Sequence, residues 1–320
     1  MRPKINGSNI LVTGGAGFIG SHLVDRLLSE GAKSIVAVDN MFAGSESNLQ
    51  NAISKGVILY KDDIEICSSL EYIFTNHNID IVFNLATKAL NYSFVNPKNA
   101  FDTNVNGVLN LLEFQKKGFF KTLVHFSTSE VYGSALYEPM DEKHPIFPTT
   151  AYAAGKAAAD LALTSWVKMF NLDAFIVRPF NNYGPRQNYK GYLSGVIPIT
   201  VYKILNGIPP EIHGDGKQSR DFIYVYDTID SIMKLYSVME AGDSVNISSK
   251  NQTSISDVIH KIANIMDYKG DIISKEARVS DVKCHNASNS KLISLIGDVD
   301  NTTFDDGLRQ TINWYKENIK

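Results

Sequence analysis

The sequence predicts an α/β fold, a Rossmann-type doubly wound parallel sheet followed by a smaller C-terminal lobe. Three observations predict it. A short apolar run, Ile10–Thr13, passes directly into Gly14-Gly15-Ala16-Gly17-Phe18-Ile19-Gly20 and then into apolar residues at helical spacing. Six strand-like runs alternate with helical stretches up to Arg178. Beyond Arg178 the pattern loosens into Pro179, Asn181, Asn182, Gly184, Pro185, Asn188 and Gly191, the composition of a loop.

In chain order, the first run and its glycines form a strand, a tight turn and a helix start. Glycines at 14, 17 and 20 allow close backbone approach, and the helix N-terminus receives a pyrophosphate. His22, Leu23, Arg26, Leu27 and Leu28 carry the helix on. The second run, Ser34–Asp39, ends in a carboxylate nineteen residues past Gly20. An acid there accepts from adenosine ribose hydroxyls and repels a 2′-phosphate, so NAD is expected rather than NADP. Val57–Lys61, Ile81–Leu85, Thr122–Ser127 and Ala174–Arg178 read as the remaining strands, with helices over Ala100–Lys117 and Ala151–Phe170. Ligands of such a sheet bind at the carboxyl ends of its strands, where Gly14, Asp39, Asp63, Leu85, Ala86 and Ser127–Glu130 fall. The expected division is a cofactor-binding domain over 1–178, with a return segment near 221–248, and a substrate-binding lobe over 179–320. Asp221–Val225 is expected to rejoin the first lobe as a strand.

Composition excludes several classes. With 320 residues, 44% hydrophobic and 20% charged, the chain is an ordinary globular one. A net charge of −3 gives no reason to expect nucleic acid or an anionic membrane as partner. No apolar run reaches a membrane span and Met1-Arg2-Pro3-Lys4 begins no signal peptide, so a cytoplasmic location is expected. Cys67 and Cys284 are too few for a disulfide framework or zinc site and read as free, buried or semi-buried thiols. The seven histidines lack ligand spacing, so no metal is implied.

Tyr152-Ala153-Ala154-Gly155-Lys156 carries the chemistry. A tyrosine four residues before a lysine shares its helix face. The ammonium is expected to stabilise the phenolate and draw the Tyr152 pKa toward neutrality. That makes a general base able to take a hydroxyl proton while a hydride leaves the same carbon. By itself the spacing fits an ordinary solvated helix better than a catalytic pair. Ser127-Thr128-Ser129-Glu130 upstream and the glycine turn favour the catalytic reading.

Assembled, these residues resemble the extended branch of the short-chain dehydrogenase/reductase family, the sugar-nucleotide epimerases and dehydratases. The resemblance spans nearly the whole chain: Thr13–Gly20, Asp39-Asn40, Asp63-Ile64, Asn84-Leu85-Ala86, Thr103-Asn104, Ser127–Gly133, Tyr152 with Lys156, Arg178–Arg186, Gly214–Val225, and Gly307-Leu308-Arg309 with Trp314-Tyr315. It implies that Asp63 and Ile64 contact the adenine and that Leu85 and Ala86 line the cofactor diphosphate. Tyr152 and Lys156 would act on the sugar and hold the nicotinamide ribose. Asn181, Arg186, Arg220 and Arg278 correspond to positions around the sugar nucleotide, and arginine's planar fork suits a pyrophosphate. Arg186 as a loop cap and Arg278 paired with Asp281 are the structural alternatives. Asn84 and Thr87-Lys88 depart from the commoner His-Leu-Ala-Ala pattern, which leaves the direction of Lys88 open.

The resemblance also narrows the reaction. Members deprotonate the sugar 4-hydroxyl, oxidise C4 and then diverge from the 4-keto sugar to epimerise, dehydrate or decarboxylate. Simple epimerases carry a small neutral residue where this chain has Glu130, whereas a carboxylate suits C5 proton removal. Thr128-Ser129-Glu130 is shared by dehydratases and glucuronate decarboxylases, and the latter tend to place an acid where this chain has Ala153. The implied activity is therefore a nucleotide-sugar 4,6-dehydratase, with UDP-glucuronate decarboxylase or 4-epimerase as alternatives and a non-enzymatic NAD-binding scaffold as the last. UDP is the default nucleotide, read by loops around Asn188–Pro198 and Ile208–Gly216. A homodimer through the two long helices is expected.

Overall fold

The computed structural model describes residues 2–250, 252–276 and 286–319. Its first six strands are β1 (Asn9–Thr13), β2 (Ser34–Val38), β3 (Ile58–Tyr60), β4 (Ile81–Asn84), β5 (Thr122–Phe126) and β6 (Asp173–Pro179). They match the expected runs to within a residue or two at each end. The later strands are β7 (Asn181–Tyr183), β8 (Glu211–His213), β9 (Ser219–Tyr224), β10 (Ser244–Ile247), β11 (Gln252–Ser254) and β12 (Ile273–Lys275).

Seven strands form one sheet in the order β3-β2-β1-β4-β5-β6-β10, and every pair in it is parallel. Helices cover both faces, which is why these strands read as continuous apolar runs rather than alternating ones. On one face Ile10, Val12, Ile35, Phe83 and Val124 join the core; on the other Leu11, Val36, Val82 and Leu123 do. The order reverses between β1 and β4, which opens a crevice at their carboxyl ends.

The helix Ala151–Phe170 starts where Thr150 accepts from the Ala153 amide at 3.2 Å and stops at Asn171 in the left-handed region. It packs on the helix Pro97–Lys116, capped in turn by Asn96. Gly155 permits that approach: a Cβ there would stand 3.0 Å from the Phe101 carbonyl oxygen.

One strand assignment is corrected. Residues 221–225 do not rejoin the large sheet: β9 pairs with β11 and β7 in a separate three-stranded sheet. Phe222 and Tyr224 enter a second core with Tyr183, Val258 and Leu308, while Ile223 between them faces the first core. The run is apolar on both faces because it lies between two cores, not because helices flank it. The strand that completes the large sheet is β10, whose fully buried Asn246 disguises it in sequence. The chain also returns later than expected, since Leu292 of the helix Ser290–Ile296 joins the first core.

Cys67 is exposed at the start of a helix, contrary to the expectation of a buried or semi-buried thiol, because the apolar face of that helix is Leu70, Ile73 and Phe74. Cys284 lies outside the described residues. Among the described residues no helix is long and apolar enough to cross a membrane.

Candidate active site

The crevice is a cleft of about 360 Å³, within the range of small-molecule sites. Its floor is the glycine turn. Gly14 has φ +65°, and a Cβ on it would lie 2.8 Å from the Ala86 amide nitrogen. A Cβ on Gly20 would lie 2.1 Å from the Gly14 oxygen, so neither position admits a side chain. The helix Phe18–Ser29 begins at Gly17 with no side-chain cap, which leaves first-turn amides to face a ligand. Asp39 closes the turn from β2, accepting from the Ala16 amide at 3.0 Å and the Met41 amide at 2.9 Å. Burial pushes its carboxyl above the usual range, against the pull of those amides. Gly14, Gly17, Phe18, Ile19, Gly20, Asp39, Asn40, Asp63, Ile64, Leu85 and Ala86 all line this cleft. A side-chain-free turn, an uncapped helix start and a strand-end carboxylate together fit NAD.

The far wall holds Tyr152 and Lys156, with Ser127, Thr128 and Thr87. The Tyr152 hydroxyl meets the hydroxyls of Thr128 and Thr87, and the Glu130 carboxylate acts on it electrostatically. Burial pushes the phenol up to about 12, with Glu130 adding to the rise and the two threonines opposing it. The expected lowering by Lys156 is therefore corrected. Lys156 turns its ammonium to the Phe126 carbonyl at the end of β5, 2.8 Å away. Burial lowers that ammonium to about 8, and Asp160 holds it up.

Asp160 stands one further helical turn along, on the face of Tyr152 and Lys156. Its carboxylate accepts from Ser127 Oγ at 2.9 Å and from Arg178 Nε at 3.0 Å. Arg178 also donates to the Tyr132 hydroxyl, which donates to Asn246 Oδ1 at 2.7 Å. On the other side of β5, Thr13 Oγ1 donates to Asn84 Oδ1 at 2.6 Å and accepts from the Leu85 and Ala86 amides. The Asn84 amide reaches His125 Nδ1 at 3.1 Å. Asn84 thus braces the strand ends. Burial holds His125 well below the usual range, so the ring is neutral.

Other expected site residues are placed differently. Ser129 is buried in the turn Ser129–Tyr132, and neither it nor Glu130 is among the residues lining the cleft. Asn181 lies on β7 with its side-chain nitrogen buried and unpartnered; its neighbour Asn182 lines the cleft instead. Arg186, at φ 66°, ion-pairs with Asp25 at 2.7 Å. Arg220 sits on β9 opposite Thr253 and donates to the Ser219 carbonyl. Neither arginine lines the cleft. Arg278 and Asp281 lie outside the described residues. Phe42 and Gln187 line the cleft without having been singled out, and Thr87, noted in sequence only as a departure from a pattern, lines it too. Only Asp160 had a legible signal, being the second helical turn after Tyr152.

A family model described as GDP-mannose 4,6 dehydratase matches residues 11–311. The dTDP-glucose 4,6-dehydratase 1 of Escherichia coli is 30% identical over 346 residues, covering 97% of this chain and 93% of its own. The UDP-glucose 4-epimerase of Thermotoga maritima, solved with UDP-glucose, superposes with a TM-score of 0.92 at 30% identity, covering 98% of this chain and 100% of that one. A dTDP-glucose 4,6-dehydratase of Streptomyces venezuelae, solved with NAD bound, superposes with a TM-score of 0.91 at 28% identity, covering 97% of each chain.

Proposed function

This chain belongs to the NAD-dependent sugar-nucleotide dehydratase and epimerase family, the extended branch of the short-chain dehydrogenases/reductases, and we propose that within it the protein is a nucleotide-sugar 4,6-dehydratase. The observation that carries the reading is a carboxylate, Glu130, near enough to the Tyr152 hydroxyl to perturb it. An epimerase needs no second acid or base once the 4-keto sugar has formed, whereas a dehydratase does.

NAD would be held by Gly14, Gly17, Asp39, Asp63, Leu85 and Ala86 and would supply an acceptor for the C4 hydride of the hexose, to be given back at C6. The residues manage the protons. In the loaded enzyme Tyr152 Oη, as the phenolate that the Thr128 and Thr87 hydroxyls stabilise, takes the proton of the sugar 4-hydroxyl and becomes the neutral phenol. Lys156, still cationic at neutral pH, holds its register through the Phe126 carbonyl. Glu130 takes the C5 proton, acidified by the neighbouring ketone, and gives it to the C6 hydroxyl, which leaves as water; the proton taken by Tyr152 balances the one C5 regains as the hydride reaches C6. In this reading residues 1–178, with a return segment near 221–248, hold the cofactor and 179–320 supply the substrate lobe, the role of Asn181, Arg186, Arg220 and Arg278 being to bind the nucleotide diphosphate, UDP by default. A homodimer forms on the long helices, whose outer faces expose Phe101, Leu161, Met169 and Phe170. Light scattering should give twice the monomer mass, and Leu161→Glu should halve it; a monomeric parent removes the dimer.

A 4-epimerase is the second reading, favoured by Glu130 standing outside the cleft lining and by the likeness to the Thermotoga enzyme. Product mass decides between them. Incubation with UDP-, GDP-, CDP- and deoxythymidine-diphosphate sugars should yield a product lighter by one water. Unchanged mass with altered stereochemistry means epimerisation, and loss of carbon dioxide means decarboxylation. Glu130→Gln should slow water loss by about 100-fold. A variant that dehydrates at the parent rate removes Glu130 from the mechanism.

A further inference from the structure

Lys156 and Arg178 bring two cations into the interior, and among the described residues one carboxylate, Asp160, acts on both. Lys156 and Asp160 are each 2% exposed and Arg178 is 4% exposed, so water compensates none of them. Arg178 Nε and Nη2 both reach Asp160 Oδ2 at 3.0 Å, and Ser127 Oγ donates to the same oxygen at 2.9 Å. The other oxygen, Oδ1, is buried and accepts no hydrogen bond. Beside it, 3.7 Å away, stands His125 Nε2.

The protonation of that ring follows from its other partner. Asn84 Oδ1 accepts from Thr13 Oγ1, so the Asn84 amide donates to His125 Nδ1 and the ring proton sits on Nε2, on the side of Asp160. The ring is neutral and leaves the charge of the carboxylate intact. Asp160 itself stays ionised. Burial raises its carboxyl, but Arg178, Ser127 and Lys156 all oppose the rise, and the guanidinium cannot give up its own charge.

Among the described residues the Lys156 ammonium makes one hydrogen bond, to the neutral Phe126 carbonyl. The titratable and charged groups gathered around it are Tyr152 and Asp160 on its own helix, His125 on β5, Arg178 on β6, Glu130 in the turn after β5 and Lys88 past β4. Tyr152 and His125 are neutral, Arg178 and Lys88 add positive charge, and Glu130 acts on Tyr152. Asp160 is the anion left to the ammonium.

We propose that Asp160, which does not line the cleft, is a positioning residue for hydride transfer: its carboxylate is the counter-ion that keeps Lys156 an ammonium beside Tyr152. This rests on family membership and not on the dehydratase reading, so a failed product assay leaves it standing.

NMR titration of the full-length protein with carbon-13-labelled lysine tests it, since each Cε signal follows the charge of its own ammonium. Lys156→Arg identifies the signal, which should titrate at about 8 in the parent. Asp160→Asn keeps the shape and removes the charge. An ammonium without its anion gives up its proton at lower pH, so the midpoint should fall by about one pH unit or more. Asp160→Glu returns the charge and should bring the midpoint back to within about half a unit of the parent. With any sugar nucleotide that turns over, the alkaline limb of kcat/KM should move in step with the midpoint. An unmoved midpoint in Asp160→Asn overturns the proposal, and with a lowered melting temperature it reduces Asp160 to packing. Equal falls in Asp160→Asn and Asp160→Glu overturn it too, by making shape rather than charge the cause. A limb that stays in place while the midpoint moves removes Asp160 from the reaction. Should Asp160→Asn not fold, the parent decides: the Asp160 Cγ signal must inflect at the Lys156 midpoint, because coupling between two charges is mutual, and a flat response overturns the assignment.

Discussion

The carboxyl edge of the large sheet and the smaller lobe use their polar residues in opposite ways. Along the sheet edge the polar groups are locked behind the cleft wall. Asp160 is held by Ser127 and Arg178, Asn84 by Thr13 and His125, and Lys156 by the Phe126 carbonyl. In the smaller lobe Arg186 spends its charge on Asp25, and Arg220 donates to its own neighbour's carbonyl on a short strand. The first region is built before any ligand arrives, while the second has its charges parked outside the cleft. A site that moves protons needs atoms fixed to fractions of an ångström, and buried strand ends provide that. A site that reads a nucleotide diphosphate tolerates long, adjustable side chains.

The contrast is sharpest at Tyr152. Tyr152→Phe should lower turnover by about 1,000-fold while NAD affinity stays within a few-fold, measured by product formation and calorimetry. A modest loss would break the claim that the fixed edge carries the chemistry. The pH response follows from the same environment. A phenol pushed up to about 12 keeps its proton to higher pH than an ordinary one. The free protein should therefore show no phenolate absorbance from Tyr152 below about pH 10, the usual tyrosine value, in ultraviolet difference titration against Tyr152→Phe. Phenolate in the neutral range would restore the lysine-lowered phenol that the sequence suggests. The smallest effect belongs to the adjustable region. Arg220→Met should raise the KM for a sugar nucleotide by about 10-fold with kcat nearly unchanged, since a charge on a flexible stem adds binding more than transition-state stabilisation. An equal fall in kcat would place Arg220 among the fixed groups.

Much of this arrangement was legible in the sequence, for identifiable reasons. Six parallel strands announce themselves because both faces are buried, and Gly14 and Gly20 because no other residue fits their contacts. Tyr152 and Lys156 share a helix face by simple periodicity. The phenol's environment was not legible, since it depends on Thr87 and Thr128 arriving from two different strand ends. Nor was the place of residues 221–225, because a two-faced apolar strand looks the same between two cores as inside a helix-covered sheet. Lys88 read only as a departure from a pattern until Phe42 was found beneath it.

Local patterns by themselves determined the parallel sheet, the glycine turn, the acid at position 39 and the tyrosine–lysine face, because each rests on contacts within a few residues or on burial of a continuous run. Tertiary structure alone decided which carbonyl takes the Lys156 ammonium, which strand closes the large sheet, where the arginines spend their charge and which cation is left facing the cleft. Those outcomes depend on groups far apart in the chain meeting in a water-poor interior, where each charge settles on whatever partner the packing brings within reach.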